Sequence, residues 1–137
     1  MKQARKMSYQ AIAKRLRLPT GREVALLDGL KFCYDLSETD AVILFELLRG
    51  KEYTVDSLTD LLNLSKATIN RGLTKLVELG FVERIREKRS QVGRPRYRYS
   101  ISNPKRIVSR IMKDFEQCSE AFKNALREAF RELVSKT

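Results

Sequence analysis

Residues 54–82 constrain the fold of this 137-residue chain more than any other stretch. The run TVDSLTDLLNLSKATINRGLTKLVELGFV contains two segments whose apolar residues recur at helical spacing, and only Asn63-Leu64-Ser65 separates them. So short a connection allows nothing but a sharp corner. Ser65 is a good N-cap, because its hydroxyl can accept hydrogen bonds from backbone N–H groups of the next turn. The stretch therefore predicts a helix-turn-helix whose second helix begins at Ser65 and ends at Gly80.

The outer face of this second helix is polar and basic. At 100° per residue, with Ile69 facing the core, Gly72 falls near the buried flank, where it lets a neighbouring helix come close. Such a helix is a candidate reader of a DNA major groove. An ordinary helix pair with a solvated face has the same pattern, so the face alone does not decide for DNA. The residues predicted to face outward are Ala67, Thr68, Asn70, Arg71, Thr74 and Lys75.

The distribution of charge favours a nucleic-acid partner. The chain has 28 Lys and Arg against 17 Asp and Glu, a net charge of +11, which indicates a polyanionic partner. Residues 1–22 hold seven basic and no acidic residues, and residues 23–64 hold three basic against nine acidic. Residues 65–100 hold ten basic against three acidic, and residues 101–137 eight against five. The positive charge is thus concentrated around the second helix and the segment that follows it.

Several other classes of function are disfavoured. No run approaches the roughly 18 apolar residues of a membrane span, and the basic N-terminus lacks an apolar signal core, so a cytoplasmic, nucleoid-associated protein is expected. The chain has no histidine, and Cys33 and Cys118 lack metal-ligand spacing, so no metal site is expected. The two cysteines are interpreted as buried thiols in a reducing cytoplasm. An enzyme is the weakest interpretation, and no cofactor is expected, because a Gly-rich phosphate loop and a nucleophile with an adjacent base are both missing.

Residues 1–36 are predicted to form a basic arm followed by a helical or hairpin extension. Residues 1–7 are expected to be a mobile arm, and residues 8–18 to form a short helix with Ile12 and Leu16 on its apolar side. Contact with phosphates and simple solvation of a basic terminus are equally compatible with this composition.

Two alternatives stay open for residues 18–36. Thr20 and Glu23 can form a capping box for a helix that fills most of the stretch. Alternatively, Arg17-Leu18 pairs with residues 22–25 as a small hairpin before a shorter helix. In either case the candidates for burial, with a dimer interface as one option, are Leu26, Leu27, Leu30, Phe32 and Cys33.

The segment just before the helix-turn-helix predicts another helix, over residues 37–48. Ser37 is a good N-cap, and Glu38 and Asp40 are favourable at the positive end of the helix dipole. This helix completes a three-helix unit. Its predicted core face consists of Val42, Ile43, Phe45 and Leu48.

After Gly80 the apolar period changes from that of a helix to that of a strand. Residues 81–87 and 96–101 are predicted to be two strands joined by a basic loop. A β-hairpin directly after a helix-turn-helix is a wing, and residues 84–98 hold seven basic residues against one acidic, more than protection of a sheet edge needs. The wing is therefore predicted to contact phosphates or the minor groove. Its basic residues are Arg84, Arg86, Lys88, Arg89, Arg94, Arg96 and Arg98.

Residues 103–136 are predicted to form one long helix within a C-terminal dimerisation segment, residues 102–137. Ser102 or Asn103 caps it, and apolar residues recur at alternating spacings of four and three, as in a coiled coil. At about 1.5 Å per residue the helix spans roughly 50 Å, longer than so small a core can cover. Dimerisation is therefore favoured over packing of the helix on its own domain. The predicted dimerisation residues are Ile107, Ile111, Phe115, Cys118, Phe122, Ala125, Ala129 and Leu133.

The segment LSKATINRGLTKLVELGFVERIREKRSQVGRPRYRYSI resembles winged-helix transcription factors, especially the MarR-like and TrmB-like regulators of small archaeal type. The match covers residues 37–101. The resemblance implies a mainly α (α+β) fold and a homodimer on a pseudo-palindromic operator, with residues 65–75 in the major groove and Arg94 and Arg96 at the wing. TrmB-type proteins often carry a large sugar-binding domain, for which the length here leaves no room. MarR-type proteins often bind phenolic ligands, and no pocket signature for them is evident.

The sequence thus predicts a sequence-specific, homodimeric regulator that binds double-stranded DNA through a recognition helix at residues 65–79 and a wing at residues 84–98. Thr68, Asn70, Arg71 and Thr74 are expected to read bases, and Ser65, Lys66 and Lys75 to contact phosphates. The alternatives are an architectural chromatin protein with low sequence preference and a winged-helix module that binds protein or RNA. The sequence names no operator, direction of regulation or small-molecule effector.

Overall fold

A computed structural model describes residues 2–87 and 96–135, the first five of them as backbone only. The chain divides into two compact units, residues 1–104 and residues 105–137. The described elements are six helices and two antiparallel hairpins, so the architecture is mainly helical, as predicted. In chain order they are α1 (Lys2–Ile12), β1 (Arg15–Arg17), β2 (Glu23–Ala25), α2 (Leu26–Tyr34), α3 (Glu38–Leu47), α4 (Val55–Leu62), α5 (Lys66–Glu78), β3 (Glu83–Arg86), β4 (Tyr97–Ser100) and α6 (Pro104–Ser135).

The α3 helix forms the centre of the first unit, because α1, α2 and α5 all pack against it. Its start is set locally: the Asp40 backbone N–H donates to Ser37 Oγ at 3.1 Å, and the Ser37 backbone N–H donates to the Asp40 carboxylate at 3.0 Å. The predicted helix is confirmed, but its core face is wider than predicted. Phe45 and Leu48 are only half-buried, whereas fully buried positions lie all round the helix. These are Ala41, Val42, Ile43, Leu44 and Leu47.

The predicted helix-turn-helix is confirmed as α4 and α5. Thr54 caps α4, and Asn63 takes a left-handed conformation with φ of 54°, which turns the chain between the helices. Gly72 allows α5 to approach α3 closely, since a Cβ at that position would lie 2.5 Å from Ile43 Cδ1. The side chains that join the two helices to the core are fully buried: Leu58, Leu62, Ile69, Leu73 and Leu76.

The predicted mobile N-terminal arm is wrong. The backbone from residue 2 onward already belongs to α1, which packs against α3 and α4. Ser8 and Ile12 are buried, and Ser8 Oγ donates to Glu46 Oε1 at 3.0 Å. The helix is fixed by this long-range contact, which a local reading of a basic, polar segment does not reveal.

Of the two alternatives for residues 18–36, the hairpin is correct. β1 pairs antiparallel with β2, with Leu16 opposite Val24, and α2 follows at once. Thr20 lies in the turn, where its Oγ1 accepts from the Arg22 backbone N–H at 3.4 Å, so it caps no helix. The predicted helix over residues 8–18 is accordingly too long. Of the candidates for burial in α2 only Leu30 is buried, and Phe32 is exposed.

The wing strands are shorter than predicted, and residues 88–95 lie outside the described part of the chain. β3 pairs with β4 in the register Glu83 opposite Ser100 and Arg86 opposite Tyr97. Phe81 and Val82 precede the strand as buried core residues, because the turn after α5 directs them inward. The hairpin itself is confirmed.

The second unit contains the rest of α6, a single helix of 32 residues that confirms the predicted long C-terminal helix. None of its residues is buried, and none of the helices in the described ranges combines the length and apolarity needed to cross a lipid bilayer. The interpretation of Cys33 and Cys118 as buried thiols is wrong. Both side chains are half-buried and disulfide-bonded.

Candidate nucleic-acid interface

The N-terminal turn of α5 is organised around the hydroxyl of Thr68. Ser65 Oγ accepts from the Thr68 backbone N–H at 3.1 Å, which confirms the predicted cap, and donates to Thr68 Oγ1 at 2.9 Å. Arg71 Nη2 donates to the same Oγ1 at 3.4 Å. Thr68, which was predicted to face outward and read bases, is only half-exposed, and its Oγ1 already accepts from Ser65 and Arg71. Arg71 is exposed, and only one of its five N–H donors is used in this contact.

The outer face of α5 presents short side chains and one long cation to solvent. Ala67, Asn70, Arg71 and Thr74 are all exposed. A shallow, open depression is lined by Asn70, Arg71, Thr74, Lys75 and Glu78. Asn and Arg offer the donor pairs that match adenine and guanine edges, so this face has the chemistry of base recognition.

The two lysines predicted to contact phosphates differ in their surroundings. Lys75 lies 3.8 Å from the Asp40 carboxylate and 3.9 Å from that of Asp35, and it also donates to the Asp35 carbonyl. Its cation thus joins α5 to the start of α3 and is already balanced. Lys66 lies 3.3 Å from Asp56, but both side chains are exposed, so their attraction is weak and easily exchanged for a phosphate.

The arginines of the wing also differ in the partners that they have within the chain. Arg98 lies between two carboxylates, 2.8 Å from Glu52 and 3.7 Å from Glu87, and the Arg84 guanidinium lies 4.6 Å from the centre of the Tyr97 ring. Arg86 and Arg96 are exposed and form no ion pair with the described residues. Lys88, Arg89 and Arg94, also predicted to bind DNA, lie outside the described residues.

A buried polar cluster connects the wing to the helices, and sequence reasoning missed it. The backbone of Tyr53 exchanges two hydrogen bonds with that of Tyr99 in β4, at 2.9 and 2.7 Å. The Tyr53 hydroxyl donates to Glu46 Oε2 at 2.5 Å, and Ser8 donates to the other oxygen of the same carboxylate. Burial and the Glu46 carboxylate raise the pKa of Tyr53 well above its usual range. A buried glutamate inside an apolar run gives no sequence signal of its partners.

A second set of exposed cations was not assigned to the site by sequence reasoning. They lie on the β1–β2 hairpin and its ends: Lys14, Arg15, Arg17 and Arg22. The absence of acidic residues from residues 1–22 is the signal that marks this segment.

The predicted dimerisation residues follow a gradient along α6. Ile107, Ile111, Phe115 and Cys118 are half-buried, whereas Phe122 and the predicted residues after it are exposed. Cys118 is disulfide-bonded rather than a free thiol. Five large side chains on α6 are at least 60% exposed: Met112, Phe122, Leu126, Phe130 and Leu133.

Comparison with known proteins identifies the family. The model of the sugar-specific transcriptional regulator TrmB matches residues 30–105, which contain the α3–α5 helices and the wing. The chain belongs to the TrmB family. No curated protein sequence matches it.

Two solved structures share the fold of this TrmB-family chain. A protein from the thermoacidophilic archaeon Sulfolobus tokodaii is 32% identical, with a TM-score of 0.62, over 73% of this chain and 93% of that one. A possible transcriptional regulator from Methanosarcina mazei Go1 is 19% identical, with a TM-score of 0.71, over 88% of this chain and 97% of that one. The predicted resemblance and the winged-helix fold are therefore confirmed, and the protein is a DNA-binding transcriptional regulator.

Proposed function

We propose that this TrmB-family regulator binds a specific, pseudo-palindromic DNA site as a homodimer, with α5 in the major groove and the wing on the flanking backbone or minor groove. The main observation behind this proposal is that α5 has one apolar, buried side and one polar, exposed side. Ile69, Leu73 and Leu76 hold one side in the core, while the other side exposes Asn70, Arg71 and Thr74. A helix held rigidly with its polar side outward is what major-groove reading requires.

Within this proposal the contacts divide into two classes. Asn70, Arg71 and Thr74 read base edges, with Thr68 orienting Arg71 through the hydrogen bond at 3.4 Å. Ser65, Lys66 and the wing cations contact phosphates, which fix the position of the protein without sequence information. Lys75 has a smaller part, because Asp35 and Asp40 already balance its charge.

The dimer is supported by the exposed apolar side chains of α6. A monomeric soluble protein rarely exposes several large apolar side chains on one helix, and such patches mark interaction surfaces. The alternating spacing of four and three from Ile111 to Ala129 suits a second copy of the same helix. Two copies related by a two-fold axis present two α5 helices to two half-sites.

Selection of bound sites from a random DNA library tests the proposal. We expect two inverted half-sites, whose spacing reports the distance between the α5 helices of the dimer. On the selected duplex, Arg71→Ala is expected to cost about 1–3 kcal/mol and to relax the preference at one base position. The matched control is Arg86→Ala on the wing, which should weaken selected and random duplexes equally.

Two results would contradict the proposal. If Arg71→Ala binds the selected duplex as tightly as the wild type, α5 is not the reading helix. If selected and random duplexes bind with equal affinity, the protein is an architectural DNA-coating protein instead. Tighter binding to single-stranded RNA than to duplex DNA would favour the third function, an RNA-binding module.

A further inference from the structure

The β1–β2 hairpin is a second basic element of the first unit, separate from the wing. We propose that it contacts the phosphate backbone of the same duplex that α5 occupies, and so extends the DNA site beyond the winged helix. This inference rests on the proposed function. The residues proposed to contact phosphates are Lys14, Arg15, Arg17 and Arg22.

The hairpin is a defined structure rather than a loose tail. Its turn is closed by hydrogen bonds from the Leu18 N–H to the Arg22 carbonyl and from the Gly21 N–H to the Leu18 carbonyl, both at 2.8 Å. Gly21 has φ of 87°, which favours glycine at this corner. At the base, the Leu26 N–H donates to the Lys14 carbonyl at 2.8 Å and ties the hairpin to the first residue of α2. The cations are therefore held on a fixed support.

The four cations are exposed and unbalanced. Residues 14–22 hold all four and no acidic residue. Glu23 stands opposite Arg17 in the strand register, yet the two side chains form no ion pair, nor does any cation of the hairpin pair with another described residue. Other cations of the unit, such as Arg49 and Arg98, do have carboxylate partners. An unbalanced basic surface raises the local potential and attracts a polyanion.

The α2 helix leads from the hairpin to Asp35, which lies at the edge of the outer face of α5. Asp35 directly follows α2 and contacts Lys75 of α5 through both its carboxylate and its carbonyl. The nine residues of α2 span roughly 13 Å, so the hairpin base lies about one short helix away from the edge of that face. Duplex DNA carries about one charge per 1.7 Å of its axis. A duplex on α5 that continues in this direction therefore brings phosphates to the hairpin.

Duplex DNA is favoured over other polyanions because α5 and the β1–β2 hairpin belong to one compact unit. Once α5 holds a duplex, contact between its backbone and the hairpin becomes intramolecular, so its effective concentration is high. A separate RNA or acidic protein has no such advantage. Phosphate contacts by arginine are sequence-independent, so the hairpin adds affinity and salt dependence without changing the preferred sequence.

The test compares two double variants of the hairpin on the selected duplex with long flanks. Arg15→Gln/Arg17→Gln keeps polar, hydrogen-bonding side chains at both positions but removes two charges. We expect the slope of log K against log salt to fall by about 1.8 per chain, at roughly 0.9 for each lost phosphate contact. Arg15→Lys/Arg17→Lys should keep the wild-type slope. Hydroxyl-radical footprinting should show lost protection only in the flanks for the Gln variant.

A control of equal charge change is Lys113→Gln/Lys123→Gln on exposed positions of α6, which should leave the slope unchanged. An equal fall in slope for this control overturns the inference, since net charge alone would then explain the effect. An unchanged slope for a folded Arg15→Gln/Arg17→Gln protein, verified by circular dichroism, also overturns it. So does a loss of single-stranded RNA binding with duplex binding intact.

The same measurements separate this inference from the proposed function. If the wild type does not distinguish selected from random duplex, sequence-specific regulation fails, but the slope difference on random duplex still decides the hairpin contact. If the wild type selects a sequence and Arg71→Ala relaxes it, while the hairpin variants bind as the wild type, only the hairpin inference fails.

Discussion

Gly72 shows how a single missing side chain sets the distance between the α3 and α5 helices. A methyl group there would lie 2.5 Å from Ile43 Cδ1 and 3.2 Å from Asp40 Oδ1. Ile43 is fully buried, so its terminal methyl has little room to move. Overpacking costs about 1–3 kcal/mol, whereas replacing a helical glycine by alanine gains roughly 1 kcal/mol in propensity.

We therefore expect Gly72→Ala to lower the free energy of unfolding by about 1 kcal/mol, the difference between those two effects. In an Ile43→Val background the clashing methyl is gone, and Gly72→Ala should become neutral or stabilising. Urea denaturation of the wild type, both single variants and the double variant measures this coupling. A stabilised Gly72→Ala single variant would show that α5 tolerates a larger separation from α3.

Tyr53 gives the stability of the protein a distinct dependence on alkaline pH. Burial and the Glu46 carboxylate raise its pKa above the usual value of about 10, so the folded protein keeps the phenolic proton at a pH where the unfolded chain loses it. Its stabilising contribution is complete below pH 10 and declines as the pH rises from there towards the folded pKa.

The expected result is a decline in unfolding free energy above about pH 10 that is steeper for the wild type than for Tyr53→Phe, by the release of up to one additional proton on unfolding. At neutral pH, Tyr53→Phe should cost about 1–3 kcal/mol, because Glu46 stays buried with one hydrogen bond fewer. Denaturant titrations between pH 7 and about pH 11 measure both effects. Parallel pH profiles for the two proteins would contradict this account.

The elements whose ends are set locally were predictable from sequence, and those set by distant contacts were not. Ser37 and Ser65 cap their helices through residues three positions ahead, and both helix starts were predicted correctly. The α1 helix, in contrast, is joined to α3 by the contact of Ser8 with Glu46, and Lys75 pairs with Asp35. These partners lie about forty residues apart in the sequence.

The presence or absence of carboxylate partners predicts different roles for two arginines of the wing. Arg96 is exposed without a described ion-pair partner, whereas Arg98 is held between Glu52 and Glu87. We expect Arg96→Gln to lower the salt slope of DNA binding by about 0.9 per chain. Arg98→Gln should change the slope far less and cost up to about 1 kcal/mol of stability, since its pairs are partly exposed.

Titrations of a single duplex at several salt concentrations compare the two variants directly, because each removes one charge from the same hairpin. The opposite order of slopes would mean that Arg98 leaves its carboxylate partners when DNA binds. In that case the ion pairs seen in the free protein would not identify the cations that contact phosphates.

At the scale of the whole molecule, the proposed dimer links the exposed apolar side chains of α6 to the proposed DNA recognition. Phe122 lies in the alternating stripe and is 60% exposed, so in the proposed dimer it faces the second copy. Gln117 is exposed on the opposite side of the helix, about 140° away at 100° per residue. Phe122→Glu and Gln117→Glu therefore introduce the same charge on opposite faces.

We expect Phe122→Glu to produce monomers, because an unpaired charge in an apolar interface is strongly unfavourable, while Gln117→Glu should remain dimeric. Sedimentation velocity measures the oligomeric state. On DNA, the Phe122→Glu monomer should bind a duplex with one half-site as well as the wild-type chain does, but lose the additional affinity that two linked half-sites provide. If Phe122→Glu sediments as the wild type and retains full affinity for the two-half-site duplex, the paired recognition helices must be held together by a surface other than this face of α6.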